Sequence, residues 1–254
     1  MSNSDWNILD TGVHTAEENM RLDRELLDTL DPFALPILHF YDWEGDSATY
    51  GHFVDPSKYL DLHIAKKRGL NLAKRPTGGG IVFHIWDLAF SVLVPAEHTH
   101  FSENTLDNYA FVNNAVLAAA SDFLSGRPQL ELIETNLSAP DASSERFCMA
   151  QPTKYDVVLQ GKKIAGAAQR KTKKGFLHQG TIALKVPPRE YLESVLLPHT
   201  QVLEAMMART FPLIGPEESI EEARTALKNL LEEHLTKEYS YVTKDENSHH
   251  THTE

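Results

Sequence analysis

Strand-forming and helix-forming stretches both recur along this chain, but they do not alternate, and that order limits the fold more than any other feature. A doubly wound fold needs a helix between successive parallel strands. Here the first clear helix runs from about Thr15 to Leu30. Thr15 and Glu18 form a capping-box pair, Leu22, Leu26 and Leu30 recur at helical spacing, and Pro32 stops the run. Ile37 to Tyr41 reads as a short buried strand. After the turn Gly78-Gly79-Gly80, Ile81 to Phe83 and Phe90 to Val94 read as two strands around a turn. A second helix covers Thr105 to Leu124, with Tyr109, Val112, Val116, Ala119 and Phe123 stepping by three and four, and Gly126 as its stop. The polar stretch Leu137 to Arg146 reads as a surface loop. Tyr155 to Leu159, Lys163 to Gly166 and Phe176 to Leu184 then give three strand patterns in succession, the first two joined at Gln160-Gly161. Ser219 and Glu222 start a final helix with Ile220, Ala223, Leu227, Leu231 and Leu235 on one face. This order predicts an α+β fold, with a mixed or antiparallel sheet and flanking helices.

At 254 residues the chain suits one large domain or two small ones. The pattern favours a single domain over 1–245, helical from about 185 to 240, followed by a disordered histidine-containing tail at 246–254. A formal charge of −12 argues against non-specific nucleic-acid binding, which needs a basic field. No apolar run approaches the ~20 residues that span a bilayer, and the N-terminus lacks the basic start and apolar stretch of a secretory signal. The single cysteine, Cys148, excludes an internal disulfide framework and an all-cysteine zinc site, and no metal site is expected. These features predict a cytoplasmic protein in a reducing compartment.

Four segments could carry chemistry. In Arg75-Pro76-Thr77-Gly78-Gly79-Gly80-Ile81-Val82-Phe83-His84, the glycines allow close backbone approach to a ligand, and Arg75 could pair with a carboxylate or phosphate. A flexible turn with a nearby arginine is the plain alternative. The spacing fits neither a Walker loop nor a dinucleotide fingerprint. Lys163 lies between a strand and the small residues Ala165, Gly166 and Ala167, where it could hold a carbonyl or phosphoryl oxygen. Two solvated lysines at a hairpin would look the same. Cys148, between Phe147 and Met149, could be buried filler. It stands at a loop end, however, and Lys163 across a hairpin could supply the positive charge that a thiol nucleophile needs. His178, at the start of a strand, could shuttle a proton or simply hold structure.

In this order the segments resemble the lipoate–protein ligase A and octanoyltransferase family (the biotin/lipoate A/B protein ligases), from about Trp6 to Leu184. Asn19-Met20-x-Leu22-Asp23 is similar to the family's first helix, and Phe40-Tyr41-x-Trp43 with Tyr50-Gly51 to its substrate-proximal strand and turn. Arg75-x-Thr77-Gly78-Gly79-Gly80-x-Val82-x-His84 resembles its glycine-rich signature. Tyr155-Asp156, Gly161-x-Lys163-Ile164-x-Gly166-x-Ala168-Gln169 and His178-x-Gly180-Thr181 complete the set. The resemblance implies a domain built like the biotin-ligase catalytic domain, with Lys163 as the active-site lysine. It implies substrate, acyl or nucleotide contacts at Arg75, Gly78, Gly79, Gly80, His84, Asp156, Gly166, His178 and Gly180. The acceptors it implies are lipoyl domains of 2-oxoacid dehydrogenase complexes or the glycine cleavage H protein.

The family has two chemistries. Ligases activate free lipoate with ATP and Mg²⁺ as lipoyl-AMP. Transferases take octanoate from acyl carrier protein through a cysteine thioester and use no cofactor. Arg75-Pro76-Thr77-Gly78-Gly79, with a cysteine upstream of the lysine, is similar to the cysteine-using transferases and implies Cys148 as nucleophile. Gly80 is closer to the ligases, in which Cys148 would be a bystander, and Ile85 stands where the family commonly has Asp. A non-catalytic module that kept the fold is a third reading, resting on Ile85. Carrier proteins are usually acidic, so a local basic run matters in an acidic chain. Lys162, Lys163, Arg170, Lys171, Lys173 and Lys174 form one in sequence.

Overall fold

In the computed structural model, which describes residues 5–125, 130–133, 142–150 and 154–237, the chain starts with a strand, β1 (Asn7–His14). Helix α1 (Ala16–Thr29) follows. Its capping box is complete: Thr15 Oγ1 accepts from the Glu18 N–H, and the Glu18 carboxylate accepts from the Thr15 N–H. Because α1 is a crossover, β2 (Ile37–Trp43) returns parallel to β1. Then come β3 (Ser47–Tyr50), α2 (Leu62–Lys67), β4 (Asn71–Lys74), β5 (Ile81–His84) and β6 (Asp87–Pro95). Helix α3 (Thr105–Phe123) is capped by Asn104, whose side chain accepts from the Leu106 N–H. The two-residue β7 (Glu131–Leu132), β8 (Val157–Leu159), β9 (Lys162–Thr172) and β10 (Gly175–Ala183) follow. The described chain ends in α4 (Arg189–Val195), α5 (Val202–Arg209) and α6 (Ile220–Thr236), the last capped by Ser219.

Seven strands make one mixed sheet in the order β1-β2-β6-β10-β9-β8-β7, and β4-β3-β5 make a second, three-stranded sheet. One face of the large sheet is apolar: Leu88, Phe90 and Val92 of β6 pack with Phe176 and Ile182 of β10. The apolar stripes of α3 (Val112, Val116, Ala119) and α6 (Leu227, Leu231) cover that face and remove it from water. The opposite face is polar at its centre and is covered by α1 and the small sheet.

The fold is the expected α+β class with flanking helices. The two strands expected around the turn after the glycines exist but are not partners. β5 pairs antiparallel with β3, whereas β6 pairs with β2 and β10. The short link between them therefore crosses from one sheet to the other. Part of the expected surface loop, 137–141, and the histidine tail lie outside the described residues. Within the rest of that loop, Ser144–Arg146 is a single 3-10 turn. No helix among the described residues is long and apolar enough to cross a membrane.

Candidate active site

Strand alternation builds one wall of the site. Opposite Gln179 of β10 stand Ser91 of β6 and Ala168 of β9, and opposite Thr181 stand Ala89 and Gly166. These positions share the face that looks toward the small sheet. Tyr41 and Trp43 of β2 extend this wall, and Thr49, Val82 and His84 of the small sheet stand across from it. The space between, counted with its open mouth, is about 410 Å³. Met20, Val82, Ala167 and Ala168 give it apolar surface suited to an alkyl chain.

Lys163 should point away from Gly166, because residues three apart on a regular strand face opposite ways. A bulge changes that. Val157 pairs with Ala165 but Val158 pairs with Lys163, so Ile164 is an extra residue in β9. The Lys163 side chain consequently runs beside Gly166, where any Cβ would overlap Lys163 Cε and Nζ. Lys163 is 1% exposed, and all three donors of its ammonium are committed. Nζ lies 2.7 Å from Asp156 Oδ2, donates to the Cys148 carbonyl at 2.8 Å, and reaches Cys148 Sγ at 3.3 Å. Burial alone would weaken the Lys163 ammonium. The Asp156 carboxylate and then Cys148 outweigh it, so the group is held above the ordinary lysine value and stays charged. Here the lysine is a fixed cation and hydrogen-bond donor, not a base.

Cys148 reaches the cavity wall on a short 3-10 turn, Cys148–Ala150, and is half-buried. The turn is anchored by Thr210, which donates to the Met149 carbonyl, and by Phe147, which bridges to Ile81. Gly80 allows this approach, since a Cβ there would overlap the Arg146 carbonyl. The third glycine is thus a packing requirement of the thiol-bearing loop.

Arg75 lines the cavity, but its guanidinium is spent on the protein. It donates to the Thr49 carbonyl and hydroxyl and to the carbonyls of Gly78 and Gly80. The glycine turn therefore presents carbonyls to Arg75, not an open clamp for an anion. His84 Nδ1 is 2.6 Å from Asp87 Oδ2, and Nε2 is 2.9 Å from Thr49 Oγ1. Its ring stacks on Trp43 at 4.2 Å. Asp87 supplies the carboxylate that Ile85 does not. It is also held by Thr181 Oγ1 at 2.6 Å.

Cys148, Arg75, Gly79, Gly80, His84, Gly166 and Gly180 all border the cavity, with Gly78, Lys163 and Asp156 directly behind them. His178 does not. Alternation turns it to the helix side with Phe90, and its neighbour Gln179 faces the cavity instead. Gln179 accepts from Thr77 Oγ1 and donates to Asp23, which also binds His39 Nδ1 and Ser91 Oγ. Sequence reasoning missed Gln179 and Asp87. Both were within reach: Phe176, His178 and Ile182 share one parity in β10, and Asp87 is the first carboxylate after His84.

Burial pushes the His178 imidazole down to about 3, so it is neutral when folded. Below the ordinary value of 6.5 the unfolded chain binds a proton that the folded chain refuses. Stability is therefore lost as pH falls from 6.5, by about 1.4 kcal/mol per unit. Between pH 7 and 5, urea unfolding should show the wild type losing about 2 kcal/mol more than His178→Gln. Equal losses would mean that the imidazole is hydrated when folded.

Fold and site together define an enzyme of acyl transfer or acyl ligation. The chain belongs to the lipoyl protein ligase A/B catalytic domain family, whose model matches residues 15–232. It is 29% identical to the octanoyltransferase LipM of Lysinibacillus sphaericus over 238 residues, covering 92% of this chain and 82% of that one. Among solved structures, lipoate-protein ligase A bound with ATP superposes with a TM-score of 0.65 at 26% identity, over 90% or more of this chain and 84% of that one. A T. acidophilum protein with bound lipoic acid gives 0.66 at 26% identity, over 90% and 85%. The protein is an enzyme of protein lipoylation.

Proposed function

We propose that this enzyme moves an octanoyl group from acyl carrier protein to a lysine of a lipoyl domain, through a thioester on Cys148. The observation that carries this reading is Cys148 Sγ on the cavity wall, 3.3 Å from the ammonium of a buried lysine. Sγ attacks the carrier thioester carbonyl, and the carrier's sulfur leaves and takes up the thiol proton. Lys163 stabilises the charge that develops, first on sulfur and then on the carbonyl oxygen. In the second half-reaction the neutral acceptor amine attacks the octanoyl-Cys148 carbonyl. The amide forms, the C–S bond breaks, and the proton lost by the amine ends on Sγ, which restores the Cys148 thiol. Both halves depend on holding reactants in line, so most of the rate comes from positioning.

The second reading, an ATP-dependent ligase acting on free lipoate with Cys148 as bystander, is favoured by the likeness to the ATP-bound ligase. The residues around the cavity suit a triphosphate poorly. Among the described residues that border it, Arg75 is bonded to backbone, and Lys163 behind it is bonded to Asp156 and Cys148. The test is direct. After incubation with octanoyl–carrier protein and no ATP, intact-mass measurement should show one added octanoyl group, mapped to Cys148. A lipoyl domain should then remove it. Transfer that requires ATP and free acid, with no adduct, selects the ligase reading.

Gly166 offers a second check. In Gly166→Ala the new methyl must push the flexible end of Lys163 aside and also crowds Asp156 Oδ1 at 3.1 Å. Acylation of Cys148 should fall about 100-fold, the scale of losing one oxyanion donor. Full activity in this variant would remove Lys163 from the chemistry.

A further inference from the structure

The basic run expected to meet an acidic carrier is only partly available: Arg170 and Lys173 stay exposed by the β9–β10 turn, and three of the others are less free. Lys163 is buried, Lys171 pairs with Glu103, and Lys174 donates to the Asp28 carbonyl. Lys162 opens β9, at the far end of that strand from Lys173, which follows Thr172 in the turn.

A different set of cations gathers where α1 runs beside the small sheet. A groove of about 930 Å³ opens there, with Met20, Leu72 and Ala73 as apolar lining and Arg21, Arg24 and Lys74 against the single carboxylate of Glu17. Arg21 is held by Glu25 at 2.7 Å. Arg24 and Lys74 are exposed and form no ion pair among the described residues. In a chain of net charge −12, two uncommitted cations on one groove are a local reversal of sign. Met20 borders both this groove and the cavity that holds Cys148, so the groove leads to the cavity wall.

We infer that this groove docks the acidic acyl carrier protein, its Arg24 and Lys74 rim receiving the phosphate that tethers the carrier's thioester arm. The inference rests on the transferase reading above. Charge decides between the two partners of that reaction. The donor's acyl thioester hangs from a phosphate-linked arm on an acidic protein, which a cationic rim attracts. The acceptor offers a lysine that is an ammonium in water, which the same rim repels. The apolar lining of Leu72, Ala73 and Met20 suits the alkyl and amide stretch of an arm that must pass between phosphate and thioester.

The experiment compares wild type with the double variant Arg24→Glu/Lys74→Glu, and with Arg24→Ala/Lys74→Ala as a milder pair. Cys148 acylation is followed by intact mass, using octanoyl–carrier protein or octanoyl-pantetheine, a thioester without phosphate. Charge reversal should lower kcat/KM for the carrier about tenfold or more at low salt, the alanine pair less, and the gap should narrow in ~0.5 M salt. Octanoyl-pantetheine, and transfer from preformed octanoyl-Cys148 to a lipoyl domain, should stay within about twofold. Three results overturn the inference: unchanged carrier kinetics, equal loss with both thioesters, or a loss confined to transfer onto the lipoyl domain, which would give the groove to the acceptor. Wild-type protein that gains no octanoyl mass from the carrier instead overturns the transferase reading itself.

Discussion

Cys148→Ala should form no acyl-protein adduct and lose transfer from octanoyl–carrier protein by about 10⁴-fold or more, the scale on which covalent catalysts lose their nucleophile. The fold should survive. Sγ is one of three partners of the Lys163 ammonium, and the Asp156 carboxylate and the Cys148 carbonyl remain in the variant. Removing one partly exposed thiol contact costs about 1 kcal/mol. Unfolding midpoints should therefore nearly coincide while activity separates completely. Cys148→Ser is the sharper probe, because a hydroxyl keeps the hydrogen bond to Nζ but is a far poorer nucleophile. A Cys148→Ala enzyme that still attaches lipoate with ATP would return the chain to the ligase reading.

Asp156→Ala should be the most destabilising single change in the site. Asp156 and Lys163 have side chains only 5% and 2% exposed. Truncating the carboxylate leaves an ammonium without its counter-charge in a low-dielectric interior, a loss of about 3–5 kcal/mol. For a domain of this size the melting temperature should fall by about 10 °C. Asp156→Leu combined with Lys163→Met tests the cause. Replacing both charges by apolar groups should restore much of the stability, since a buried pair gains little over hydrophobic packing. Activity should remain absent. If Asp156→Ala melts like wild type, water reaches Nζ and the pair is not sealed.

Helices α1 and α6 were legible because their ends carry local chemistry, whereas the short α2 was not read at all. Thr15 with Glu18, and Ser219 with Glu222, cap α1 and α6 at the positions that spacing predicts. Strand β1 was not. Its sequence mixes polar and apolar residues and none of them is buried, because it is an edge strand that gains its place from pairing with β2. Of the small sheet only β5 was read as a strand, for a related reason. β3 and β4 are four residues each, and their parallel pairing joins segments separated by α2, which no local pattern records. The site divides the same way. Cys148, Lys163 and the glycines were found by motif. The bulge at Ile164, which makes Lys163 and Gly166 neighbours, depends on pairing with β8 and lies outside any single-strand reading. Arg75 shows the converse: its type and place were legible, but its four bonds to Thr49, Gly78 and Gly80 were not.

The committed ammonium of Lys163 has a consequence for the lifetime of the acyl group. Together with Asp156 it forms a pair of zero net charge beside the thiol. A thiolate at Cys148 would add one negative charge to this half-buried spot, whereas an acylated sulfur adds none. The loaded enzyme therefore adds no charge to the interior, as the resting thiol adds none, and only the passage between the two states carries an electrostatic cost. On the transferase reading the protein is a depot: it takes its cargo from one partner, holds it neutral and shielded between two sheets, and waits for the next.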